Sequence, residues 1–89
     1  MNVFQVTRTY MNFDRTYSRS SIIGHFLKRE SAEADMRERL NKSFQIIKEK
    51  GFEPEWINDQ FMDEYQYVND KDCLITVRYC ITTFMLYAD

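Results

Sequence analysis

Residues Cys73–Tyr87, CLITVRYCITTFMLY, form the longest run without glycine, proline or an acidic side chain. β-Branched and aromatic residues dominate it. Read with a period of two, Cys73, Ile75, Val77, Tyr79, Ile81, Thr83, Met85 and Tyr87 share one face. Leu74, Thr76, Arg78, Cys80, Thr82, Phe84 and Leu86 share the other, which is polar in the middle and apolar toward its end. A strand with neighbours on both sides, and water on one face at most, has this composition. The stretch therefore predicts the central strand of a small antiparallel sheet.

Working outward, FMDEYQYV (Phe61–Val68) alternates Phe61, Asp63, Tyr65 and Tyr67 with Met62, Glu64, Gln66 and Val68. Asn69-Asp70-Lys71-Asp72 has the composition of a turn, so the two strands should form a hairpin. The N-terminal NVFQVTRTYMNF also alternates, with Phe4, Val6, Arg8 and Tyr10 on one face and Val3, Thr7, Thr9, Met11 and Phe13 on the other. Asp14–Ser21 is polar and without period, and reads as a loop or an irregular extension of the strand. Arg8-Thr9-Tyr10 recurs as Arg15-Thr16-Tyr17, but a single recurrence does not make a repeat protein.

The longest periodic segment runs from Ser31 to Gly51. Met36, Leu40, Phe44 and Ile47 make a helical stripe, and Glu38, Lys42, Gln45 and Glu49 make a solvated side. Ser31 can cap the start, Glu33 and Asp35 suit its positive end, and Gly51 can take the left-handed cap. A shorter helix is expected over IIGHFLKR (Ile22–Arg29), behind Ser20 or Ser21, although Gly24 disfavours it against a loop. The expected fold is α+β: three antiparallel strands in the order 2-3-1, with one long helix and a short one on one face.

Eighty-nine residues suffice for a single compact domain, 1–89. No apolar run approaches the roughly 20 residues of a membrane helix, and no basic-then-apolar leader opens the chain. A cytoplasmic address is expected, in the host cytoplasm if the gene is a phage's. Cys73 and Cys80 fall on opposite faces of the strand and should be buried free thiols. The net charge of −2 is unevenly placed: +4 over residues 1–29, −2 over 30–56 and −4 over 57–89. Such polarity bears on partners.

The chemistry-bearing constellations are few. His25 is the only histidine and has no acidic residue within four positions. Two glycines do not build a phosphate-cradling loop, and no nucleophile elbow or metal-binding helix signature occurs. No catalytic residue, metal ligand or cofactor site is assigned. Asp59, Asp63, Glu64, Asp70 and Asp72 concentrate negative charge around the hairpin. They read as a solvated tip or as an acidic contact surface for a basic partner, such as the groove of a nucleic-acid-handling enzyme. Arg8, Tyr10, Arg15, Tyr17 and Arg19 interleave cations with aromatic rings. That pattern holds phosphates and bases in single-strand binders, though a pI near 5.4 argues for a charged edge strand instead. Trp56, Phe84 and Leu86 exceed what one helix can cover and are expected in an apolar patch for a protein partner or a homodimer.

In length, acidity and lack of motifs the chain resembles the small inhibitors that phages direct against host defence or host enzymes, anti-CRISPR proteins among them. The likeness is one of general character and is carried by no motif. It implies a non-catalytic protein-binding module that occupies a macromolecular partner's surface. The alternative is a single-stranded nucleic-acid-binding protein that uses the N-terminal Arg/Tyr segment. Neither reading involves a membrane.

Overall fold

The Cys73–Tyr87 stretch supplies β5 (Leu74–Met85), the middle strand of five in a computed structural model that describes residues 1–12, 18–57 and 63–86. The other elements are β1 (Asn2–Asn12), β2 (Ser18–Phe26), α1 (Arg29–Glu49), β3 (Glu55–Trp56) and β4 (Glu64–Val68). The sheet order is β2-β1-β5-β4-β3, and every neighbouring pair is antiparallel. The expected three-stranded sheet is thus corrected to five strands with a single helix.

Both additions have local causes. β2 takes the segment expected to coil as IIGHF: Ile22 and Ile23 are β-branched, Gly24 weakens a helix, and so short a helix cannot repay its nucleation. Pairing with β1 from Phe4↔Phe26 to Met11↔Ser18 satisfies its backbone instead. β3 follows Pro54 and pairs Glu55↔Gln66 and Trp56↔Tyr65.

The long helix begins two residues before Ser31. Lys28 is its extended N-cap and makes no side-chain cap bond, while the Ala32 N–H donates to the Lys28 carbonyl. At the other end Gly51 adopts φ 96°, its N–H donates to Lys48 O, and the Phe52 N–H donates to Ile47 O. This pair of bonds is a Schellman motif, and it folds Phe52 back toward Tyr67, 5.4 Å between ring centroids.

One face of the sheet carries the core. Val6, Tyr65, Tyr67, Ile75, Val77 and Tyr79 are buried beneath Ala32 and Leu40 of α1, with Met36, Phe44 and Ile47 packed beside them. The opposite face is ruled by polar cross-strand rungs: Gln5 with His25, Thr7 with Cys80, Thr9 with Ser20, and Arg78 with Glu64. No helix among the described residues is long and apolar enough to cross a membrane.

Candidate functional site

A register shift in β2 decides which side chains meet on the helix side of the sheet. Val6 pairs with Gly24 but Thr7 pairs with Ile22, so Ile23 is an extra residue in the β1–β2 ladder. Above this bulge, Gly24 and Phe26 share a face with Val6 and Phe4. Below it, Ser21 and Arg19 share a face with Arg8 and Tyr10. Without the bulge, strict alternation would send Arg19 and Ser21 to the polar face. Ile23 itself packs against the core.

The result is a groove of about 580 Å³ between the β1–β2 hairpin and the C-terminal half of α1. Arg8, Tyr10, Arg19 and Ser21 form the sheet wall, and Arg39, Lys42, Ser43 and Ile46 form the helix wall. Tyr65, Tyr67 and Tyr79 close the floor. Tyr65 bonds to the Ser43 hydroxyl, which ties floor to helix wall.

The four cations are not equivalent. Arg39 Nε donates to Asp35 at 2.7 Å and Lys42 Nζ donates to Glu38 at 2.9 Å. The hydrogen bond and charge of Lys42 hold the Glu38 carboxyl below its ordinary range. Arg8 and Arg19 have no carboxylate partner among the described residues. They are diagonal neighbours across β1 and β2, which puts their backbones roughly 7–8 Å apart, so the two charges repel unless an anion lies between them. The Tyr65 and Tyr67 phenols of the floor are neutral at ordinary pH, and burial extends that range upward. Desolvation pushes the Tyr67 hydroxyl up to about 12, helped by neighbouring Tyr10, and raises that of Tyr65 against the opposing Ser43 bond. Both can offer O–H groups at neutral pH. Cationic forks and phenol donors around a cleft of small-molecule size can hold a phosphate or carboxylate.

Of the residues singled out in the sequence, Arg8, Tyr10 and Arg19 come together here. Arg15 and Tyr17 lie outside the described residues. The acidic set is dispersed. Asp59 lies outside the described residues, Asp63 and Glu64 open β4, and Asp70 and Asp72 sit on the exposed turn beyond its far end. The remaining four residues of β4, about 13 Å, and the start of the turn separate the two pairs. Glu64 is already engaged by Arg78 at 2.9 Å on the polar face.

Trp56 is not at an exposed patch. It stacks on Phe44 at 4.5 Å and meets the edge of Tyr65 at 5.9 Å, inside the aromatic cluster under α1. Phe84 and Leu86 lie at the far end of β5, where Met1 and Leu86 bond through their backbones. Phe84 and Leu86, with Met1, Leu27 and Met85, leave between 44% and 75% of their surface exposed at that end. His25 lies on the polar face with Nε2 3.1 Å from Gln5, away from the groove. Cys73 and Cys80 are free but exposed, which corrects their expected burial: Cys73 precedes β5 and Cys80 is on the polar face. Among the described residues no group of His, Cys, Asp and Glu could hold a metal ion.

Arg39, Lys42, Ser21 and Ser43 are the lining residues that sequence reasoning missed, Lys42 having been assigned to the solvated side. A signal existed for two of them. Arg39 and Ser43 are four apart, flanking the Met36–Leu40–Phe44 stripe. Comparison with protein-family models, curated proteins and solved structures returns no match for this chain.

Proposed function

We propose that this protein is a non-catalytic binding module that takes single-stranded nucleic acid into the Arg8–Arg19 groove. The observation that carries the reading is the pair of guanidinium groups on one face of adjacent strands, with no carboxylate to neutralise them among the described residues. Phosphate oxygens are the partner such forks suit, and counterion release would drive their association. The overall negative charge does not oppose this, because the acidic excess lies elsewhere in the chain. Binding rather than turnover is supported by His25, which lies on the other face against Gln5.

A salt titration with a random single-stranded oligonucleotide tests the reading. Two phosphate contacts give a log–log slope of about −1.4, at roughly −0.7 per contact, and Arg39 and Lys42 can only steepen it. Arg8→Ala with Arg19→Ala removes the salt-dependent binding. Binding that is absent, or indifferent to both substitutions, refutes the proposal.

A second reading, a surface-occupying inhibitor of a protein partner, is favoured by a different feature. Met1, Leu27, Phe84, Met85 and Leu86 are exposed together at one end of the sheet, and apolar ends of this kind mark association surfaces. Leu86→Asp then releases a purified partner, or a second copy followed by light scattering, without disturbing the groove. Unchanged association in that variant removes this reading.

A further inference from the structure

We infer that the groove reads the dianionic monophosphate at the end of a single strand, in preference to an internal phosphodiester. The inference rests on the nucleic-acid reading above and names the ligand group of that same site. Three observations lead to it.

The first is charge. Arg39 and Lys42 are committed to Asp35 and Glu38, whereas Arg8 and Arg19 remain unneutralised among the described residues. Among the described residues the groove therefore has two positive charges without an acidic partner. An internal phosphodiester brings one negative charge. A phosphate monoester brings about 1.5 to 2 at neutral pH, together with three acceptor oxygens. Only the terminal group matches the surplus and offers an oxygen to each guanidinium with one to spare.

The second is the supply of donors. Tyr65 and its hydrogen-bond partner Ser43 both line the groove between the two walls, and a phenol is protonated at neutral pH. A neutral O–H beside two forks suits the third oxygen of a monoester. The third observation is what the groove lacks. A strand threaded through a groove is held by successive exposed ring faces on which its bases stack. Tyr65, Tyr67 and Tyr79 are buried, and of the tyrosines lining the groove only Tyr10 is half-exposed. One ring can meet one base, which is the requirement of a strand end.

The test compares a short oligothymidylate carrying a 5′-phosphate with the same oligomer ending in a 5′-hydroxyl, by fluorescence anisotropy with a 3′ dye. The phosphorylated oligomer is expected to bind about tenfold or more tightly, as a charge-assisted contact allows. Arg8→Gln and Arg19→Gln should each erase that preference while leaving the circular-dichroism melting curve in place. Arg78→Gln, on the polar face, should leave the preference intact. Thymidine 5′-monophosphate should compete where thymidine does not. Equal affinity for the two oligomers overturns the inference and leaves the nucleic-acid reading standing. Failure of both to bind overturns the two together.

Discussion

The two faces of this sheet treat arginine in opposite ways. On the polar face Arg78 donates to Glu64 at 2.9 Å, and both lie among hydroxyl and amide rungs. On the helix face Arg8 and Arg19 stand beside buried tyrosines with no acidic counterpart among the described residues. A charge that is neutralised where it sits adds a little to stability and solubility. Arg8 and Arg19 are both exposed, so water screens their mutual repulsion and they remain accessible to an anion from outside the fold. The contrast sets an arginine paired within the sheet against two that have no such partner among the described residues.

The contrast depends on the helix sealing its half of the face, and the largest expected effect comes from breaking that seal. Leu40 is 1% exposed beneath α1, and Leu40→Ala should cost about 3 kcal/mol, within a general range of roughly 2–5. Urea denaturation reads it as a lower midpoint at unchanged slope. A loss under about 1 kcal/mol would mean that α1 lies loosely and that the groove has no fixed helix wall.

Alkaline titration comes next. The Tyr67 hydroxyl is raised from 10.0 to about 12 in the folded chain, so between those values the unfolded state has released a proton that the native state keeps. Stability is then full below pH 10 and falls toward pH 12, by up to about 1.4 kcal/mol per pH unit for one tyrosine. Chemical denaturation at pH 9, 10 and 11 checks the sign. A flat profile would show that the phenols of the groove floor are wet, contrary to their burial.

The sharpest test of the comparison itself is smaller. Arg78→Ala should cost no more than about 1 kcal/mol, since one partner of its ion pair is half in water. Arg8→Ala should cost nothing or stabilise slightly, because it relieves repulsion with Arg19. Paired thermal melts at low salt decide it, and the reverse order would make Arg8 a structural residue. Smallest of all, Gln5→Ala removes the exposed rung to His25 and should stay within about 0.5 kcal/mol of the parent. A larger loss would assign the polar face more structural weight than its exposure suggests.

Local pattern made several features legible. The alternation of Ile75, Val77 and Tyr79, the stripe of Leu40 and Phe44, and the cap at Gly51 each follow from a period or a backbone preference confined to a few neighbouring residues. Arg8 and Tyr10 were visible as a basic and aromatic pair on one face of a strand. The acidic residues were equally visible, but one-dimensional proximity misled. Asp63 and Asp72 are near in sequence yet lie beyond opposite ends of β4. The segment Ile22–Phe26 was misread because its apolar offsets fit a helix as well as a strand, and only pairing with β1 chooses between them.

By itself, then, the sequence determined an α+β domain with β5 between partners and α1 lying on its apolar side, because hydrophobic period is a property of each segment alone. Tertiary structure decided the sheet's width and the groove. The extra residue at Ile23 turns Arg19 to the helix side of the sheet, and the docking of α1 brings Ser43 to Tyr65 and makes Arg39 and Arg8 part of one groove lining. The physical reason is that register and docking are set by contacts between distant segments, and one residue of slip moves every later side chain to the other face.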